Sequence, residues 1–281
     1  MRLVAYLDDH GSEALGRIEN GTVRRLRGID RIDRTTSTDA LLAAETEPAS
    51  SAGPSAAGAA LDGLTLLPVA RPGKIFCVGL NYRSHVTETK RELPTYPVLF
   101  PKFASNLIGA GADIVLPPES EQVDYEAELA VVIGRPGRRI AREDALDHVL
   151  GYTICNDVTM RDFQYKTHQW MQGKAWDAST PLGPVLVTGD EIDPGALDIS
   201  LRLNGAEMQA SGTDRMIFDV PALIAVTSQF TRLEPGDVIL TGTPGGVGFR
   251  RDPQVFLADG DVVEVEISGI GTLRNTVRAE S

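Results

Sequence analysis

The residues best suited to chemistry lie in the segment Asp124-Tyr125-Glu126-Ala127-Glu128-Leu129-Ala130-Val131-Val132-Ile133-Gly134. In a strand, side chains alternate between faces, so Glu126 and Glu128 share one side while Ala127, Leu129 and Val131 take the other. Two carboxylates on one face of so apolar a segment repel each other unless a cation lies between them. A solvated strand edge is the simpler source of any E-x-E. A second apolar run, Gly151-Tyr152-Thr153-Ile154-Cys155-Asn156-Asp157, tips the balance because it ends in a third acid. Three carboxylates converging from two strands make an oxygen-only site, suited to Mg²⁺ or Mn²⁺, with Ca²⁺ admissible and soft metals not. With three protein ligands an octahedral ion keeps positions for water and substrate. It also offers an anionic substrate a cation to face on an acidic protein.

A second pair has its own geometry. His85 and Glu88 stand at i and i+3, so on a helical turn they face each other. A carboxylate bonded to one imidazole nitrogen fixes the tautomer and makes the other nitrogen a better base. The following stretch, Thr87 to Pro97, is polar and interrupted by proline, as a lid over a site would be.

Positioning these groups requires many strands. Past residue 71 the candidates are Ile75–Val78, Val98–Phe103, Asp113–Leu116, Glu126–Ile133, Gly151–Asn156, Val185–Val187, Ile199–Leu203, Val238–Thr241 and Val262–Ile267. Asn204-Gly205 signals a hairpin. Two helices are expected, Arg142–His148 and Val220–Thr231. That pattern means α+β, mostly β, and excludes a doubly wound parallel sheet. Before residue 71, Arg2–Leu7 and Thr22–Leu26 read as strands flanking a turn-rich stretch. A short helix is expected near Asp39, and a flexible Ala/Ser-rich connector over Pro48–Ala60. The chain therefore divides into a small β-rich N-terminal domain, 1–70, and a larger domain, 71–281.

Composition removes other functions. The 281 residues carry 27 basic against 39 acidic side chains, a formal charge of −12, which argues against nucleic acid as a partner. No run approaches the ~18 apolar residues of a membrane span, and no leader pattern opens the chain. Two cysteines are too few for a disulfide scaffold or a thiolate zinc site. A protein of a reducing, cytoplasmic compartment is expected. The glycine-rich Gly242–Gly248 lacks the Lys-Ser/Thr ending of a phosphate loop, so nucleotide binding is not expected.

Five strings in order resemble the fumarylacetoacetate hydrolase family: VGLNYRSH (78–85), DYEAELAVVIGR (124–135), GYTICNDVTMRDFQ (151–164), QGKAWDASTPLGP (172–184) and LTGTPGGVGF (240–249). The resemblance implies a mixed β-roll around a long helix and, usually, a homodimer. It implies that Glu126, Glu128 and Asp157 hold the metal and that Lys174 neutralises charge developing on a substrate oxygen. Arg161 and Gln164, on one helical face by their spacing, would position substrate and water, and Thr243 would grip a pyruvyl carboxylate. His85 and Glu88 match the dyad of members that act on acylpyruvates. A basic residue opposite the metal would select a dicarboxylate, and Arg83, Lys102 and Arg161 are the candidates, with Lys102 counted among the substrate-binding set.

On this resemblance the leading expectation is a metal-dependent hydrolase of a C–C bond in acylpyruvate- or fumarylpyruvate-like 2-oxo acids. A pyruvyl enolate, stabilised by the ion and Lys174, would be the common step. The alternatives are an isomerase or decarboxylase of 2-hydroxyhepta-2,4-diene-1,7-dioate-type acids in aromatic catabolism, an oxaloacetate decarboxylase, or a non-enzymatic metal-stabilised binding protein. Other residues carry no role: His10 lies in the N-terminal region with no partner pattern, His168 reads as lid-adjacent or exposed, His148 as a helix-end residue, and Cys77 and Cys155 as buried small hydrophobes. Trp170, Met171 and Trp176 are either pocket wall or core.

Overall fold

The computed structural model describes residues 1–47 and 61–280; the connector expected over 48–60 lies outside the described residues. The apolar runs find their partners mainly in one eleven-stranded sheet. Along its main path the order is Thr22–Arg25, Glu13–Glu19, Arg2–Leu7, Thr180–Thr188, Val149–Asn156, Ala127–Ile133, Val238–Leu240, Ile75–Gly79 and Val98–Lys102. A five-stranded sheet runs Ala206–Gly212, Asp198–Leu203, Val262–Ile267, Gly271–Ala279, Ile114–Leu116, and Thr159–Met160 pairs with Val123–Asp124. The class is α+β and mostly β.

Every residue of Ala127–Ile133 is buried, and its alternation sorts two cores. Ala127, Leu129, Val131 and Ile133 pack in the cluster holding Ile199, Leu201, Val263 and Val265 of the five-stranded sheet. Ala130 and Val132 pack in the cluster of Leu3, Leu15, Cys77 and Phe100. Each such Val or Leu contributes about 1.5–3 kcal/mol by leaving water. A one-residue slip would exchange the two faces and bury the acids against the wrong core, so packing locks the register that aims Glu126 and Glu128.

The N-terminal strands extend the large sheet. Arg2–Leu7 lies antiparallel to Thr180–Thr188, pairing Leu3 with Leu186. Where a turn-rich stretch was expected, Glu13–Glu19 is a strand between two turns, one over Asp8–Ser12 and one at Asn20 (φ 50°) and Gly21 (φ 74°), the tight pair a two-residue hairpin needs. Arg142–His148 is a run of 3₁₀ turns, not an α-helix; only Ala145 is buried and Leu146 is 47% exposed, so no apolar stripe holds a regular helix. Val185–Val187 lengthens to Thr180–Thr188, and Pro184 is tolerated where the pairing with the Val149–Asn156 strand shifts register. The hairpin signalled by Asn204-Gly205 forms, with Asp198–Leu203 antiparallel to Ala206–Gly212, and Gly271–Ala279 is a further strand that the sequence reading did not include. The longest helix among the described residues, Val220–Phe230, has eleven residues. Asp219 caps it by accepting from Ala222 N at 2.9 Å, and it packs on the Arg142–His148 turns. No helix among the described residues is long and apolar enough to cross a membrane.

Candidate active site

Register brings the acids together. Ala127 pairs with Asn156, and Asp157 N donates to Glu126 O at 2.9 Å, which sets the third acid beside the first. One oxygen from each of Glu126, Glu128 and Asp157 lies within 4.8 Å of the others, and all three residues are buried.

Lys174 ends the short helix Met171–Lys174 and reaches into this group, with Nζ 2.6 Å from Glu126 Oε2 and 2.7 Å from Asp157 Oδ2. That helix leans on Arg161–Gln164 through Gly173, where any Cβ would stand 2.6 Å from Gln164 backbone. Arg161 and Gln164 are brought together as expected, Nη1 donating to Oε1 at 3.0 Å. Arg161 also donates through Nε to Asp124 Oδ2 at 2.8 Å, and its Nη2 lies 2.7 Å from Glu126 Oε1.

The charges are shaped by these neighbours. Burial would raise the Glu126 carboxyl, but Lys174 and then Arg161 outweigh it and bring it down to about 2. Glu128 goes the other way. Burial, then the Asp157 and Glu126 charges, push it well above the usual carboxylate range, and its hydrogen bond is from the Gly242 N–H at 2.8 Å. Burial would lower the Lys174 ammonium, yet Asp157 and Glu126 hold it above its ordinary value.

The dyad forms. His85 Nδ1 and Glu88 Oε1 are 2.8 Å apart on the helix Arg83–Glu88, and Glu88 Oε2 accepts from Gly246 N at 2.8 Å. Gly246 has φ +105° and a Cβ there would meet Met208 O at 2.2 Å, so only glycine serves. His85, Glu126, Glu128, Arg161, Gln164, Lys174 and Thr243 line one cavity, walled by Phe100, Trp170, Tyr165 and Phe249.

Lys102 corrects an expectation. Its side chain is fully buried behind Asp157, spends Nζ on Thr180 Oγ1 (2.7 Å) and Val158 O (3.2 Å), and does not line the cavity. Burial of the lysine stem there supports the acid from the rear, at 3.0 Å from Asp157 Oδ1, and does not face a substrate. Arg83 is exposed and also outside the cavity lining. The basic residues at the mouth are instead Arg91, stacked 5.5 Å from the Trp170 ring, and Arg250, 5.0 Å from that of Phe249. Two interior residues were also missed. Asp124 accepts from Arg161, Gly248 N and Phe249 N, and its parity with Glu126 and Glu128 was the available signal. Gln209 bonds Ala127 N, Thr243 and Pro244, and nothing local announces it. Trp176 packs edge-on against Phe163 at 4.9 Å, His148 Nδ1 lies 2.9 Å from Arg135 O, and both cysteines are buried.

The donor set fits a hard dication. It is all carboxylate and buried, and Glu128, pressed by two adjacent acids, forms no ion pair of its own among the described residues. Such an ion would be held by Glu126, Glu128 and Asp157.

Residues 74–278 match the family model for the fumarylacetoacetate (FAA) hydrolase C-terminal domain. The chain is 51% identical over 215 residues to a Xenopus laevis protein named oxaloacetate tautomerase fahd2, mitochondrial, covering 75% of this chain and 67% of that one. That name does not support the cytoplasmic expectation. A crystal structure of 5-carboxymethyl-2-hydroxymuconate delta-isomerase from Mycobacterium smegmatis matches both chains in full, with TM-score 0.83 and 35% identity. Fumarylpyruvate hydrolase from Pseudomonas aeruginosa, solved with Mn²⁺ and pyruvate, matches with TM-score 0.69 and 32% identity over 76% of this chain and 92% of that one.

Proposed function

The chain belongs to the fumarylacetoacetate hydrolase family and is an enzyme, and from that premise we propose that it interconverts the keto and enol forms of an oxaloacetate-like 2-oxo dicarboxylic acid, with Mg²⁺ or Mn²⁺. This places the isomerase or decarboxylase alternative ahead of C–C hydrolysis, which the sequence reading put first. The relative named oxaloacetate tautomerase supports that order. The observation that carries the reading is His85, paired with Glu88, lining the same cavity as Lys174.

Glu88 occupies His85 Nδ1, so Nε2 is the nitrogen left to move a proton. It takes one from the methylene between the keto group and the distal carboxylate, and the electron pair moves onto the keto oxygen. Delivery of that proton from His85 to the oxygen gives the enol, and the reverse transfers, oxygen to His85 and His85 to carbon, give the ketone. The Lys174 ammonium, kept charged by Glu126 and Asp157, faces the oxygen on which charge develops. A dication, when bound, supplies Lewis-acid polarisation of the 2-oxo acid. Thr243 takes the carboxylate next to the keto group, Arg161 and Gln164 orient the ligand, and Arg91 with Arg250 attract the distal carboxylate. Loss of that carboxylate as CO₂ would likewise send the electron pair of the broken bond onto the keto oxygen, giving the shorter pyruvyl enolate, so slow decarboxylation is a compatible side reaction.

Residues 1–70 are taken as a small unit docked through Arg2–Leu7, and a homodimer and a role in aromatic catabolism rest on the family resemblance. The test follows the enol absorbance of oxaloacetate with Mg²⁺ or Mn²⁺, beside acylpyruvate and fumarylpyruvate. Accelerated enol–keto exchange that His85→Ala abolishes is expected. Cleavage of fumarylpyruvate with no acceleration of exchange would return the hydrolase reading to first place.

A further inference from the structure

We propose that Gln209 is a positioning residue that sets the direction of the Thr243 hydrogen bond, leaving the threonine hydroxyl only able to donate into the cavity, toward a carboxylate oxygen of the 2-oxo acid. The proposal deepens the reading above and rests on its assignment of Thr243.

Gln209 lies on Ala206–Gly212, the edge strand of the five-stranded sheet, and its side chain is 1% exposed. Its amide could face either way by shape, but its partners permit one orientation. Ala127 N–H can only donate, so the atom 2.9 Å from it is Oε1. The Pro244 carbonyl can only accept, so the atom 2.9 Å from it is Nε2. The second Nε2 hydrogen is then directed at Thr243 Oγ1, also 2.9 Å away. Thr243 Oγ1 therefore accepts, and its own hydrogen must go elsewhere. Thr243 lines the cavity with Lys174 and Arg161, and no protein acceptor for its hydroxyl is found among the described residues. A hydroxyl locked as a donor beside two cations selects an anionic oxygen.

The same amide has a second consequence. Ala127 lies between Glu126 and Glu128, so one side chain ties the strand carrying two of the acids to the turn carrying Thr243.

Gln209→Glu reverses the polarity. The new oxygen repels Pro244 O and accepts from Thr243, withdrawing the hydroxyl hydrogen from the cavity. We expect the KM for oxaloacetate and the Kd for oxalate, measured with Mn²⁺ present, to rise at least tenfold, with kcat changed much less. Thr243→Val should raise both similarly, and Thr243→Ser should restore them. The double variant should be no worse than Thr243→Val alone in KM and Kd, because the effect of Gln209 on the bound carboxylate passes through that hydroxyl. Additive losses in the double variant would make Gln209 merely structural and overturn the proposal. Should Gln209→Glu not fold, Gln209→Met gives a smaller rise and the same additivity test. An unchanged KM in Thr243→Val would instead overturn the carboxylate-binding role of Thr243, a separate failure.

Discussion

Glu128 and Asp157 belong to one acidic trio, yet their amide variants should behave differently, and the difference tests the electrostatics of the site. Without metal, burial and then the neighbouring Asp157 and Glu126 charges push the Glu128 carboxyl well above the usual carboxylate range, which favours its protonated form. Glu128→Gln then replaces one neutral group by another of equal size and can still accept from Gly242 N. Its cost in EDTA should stay within about 1 kcal/mol. Asp157 instead answers Lys174 at 2.7 Å and Lys102 at 3.0 Å. Asp157→Asn leaves both buried ammonium groups facing an amide, which costs roughly 3–5 kcal/mol. At about 2–4 °C per kcal/mol that is a fall in Tm of roughly 6–20 °C. With metal at 100 times its Kd the wild type should gain about 2.7 kcal/mol, or roughly 5–11 °C, and both variants should lose most of that gain. Thermal melts in EDTA and across a Mn²⁺ titration read both effects. The reasoning is refuted if Glu128→Gln melts as low as Asp157→Asn in EDTA, or if it keeps the full Mn²⁺ shift.

Three further outcomes follow from the same geometry. His85→Ala should lower kcat for enol–keto exchange by about 10²- to 10⁴-fold while the Mn²⁺-induced Tm shift survives, since the dyad is outside the acidic trio. Arg91→Ala and Arg250→Ala should each raise the KM for oxaloacetate roughly 1.5- to 5-fold, the range of exposed charge pairs, and leave a monocarboxylate 2-oxo acid unaffected. Gly246→Ala should destabilise by more than about 1 kcal/mol, because its Cβ would collide with Met208 O at a positive φ, and should also depress kcat because the backbone shift that relieves the collision moves the N–H that holds Glu88; unchanged kcat in a folded variant would show that Glu88 needs no such support.

What could be read from the sequence was local or periodic. Period two placed Glu126 with Glu128, and i, i+3 spacing placed His85 with Glu88 and Arg161 with Gln164. The same parity extends to Asp124, but its carboxylate is taken by Arg161 and two backbone N–H groups that lie far along the chain. What escaped depended on contacts far apart in the chain. Gln209 meets Ala127 across 82 positions, from a strand whose other side chains are exposed or half-buried and so show no apolar alternation. Gly271–Ala279 does alternate, at Leu273, Asn275 and Val277, but the middle position is polar. Asn275 is buried to bond Gly109 O and Ala112 O, which breaks the pattern a strand is recognised by. Lys102 was misplaced for a related reason, since charge type alone does not tell a residue facing substrate from one supporting an acid from behind.

The site also resolves how a protein of charge −12 would draw an anionic ligand. Around the cavity four buried carboxylates, Asp124, Glu126, Glu128 and Asp157, face three buried cations, Lys102, Arg161 and Lys174. With Glu128 protonated the group is neutral. A dication that displaces that proton leaves the group with one net positive charge, in a low-dielectric interior where such a charge acts strongly. Arg91 and Arg250 extend the field to the mouth, where salt screens it within about 10 Å at 0.1 M. Attraction at the mouth should therefore weaken as salt rises, while the interior balance should not. A KM for oxaloacetate that climbs with ionic strength in the wild type, and climbs less in the Arg91→Ala/Arg250→Ala double variant, is the result this division of labour requires.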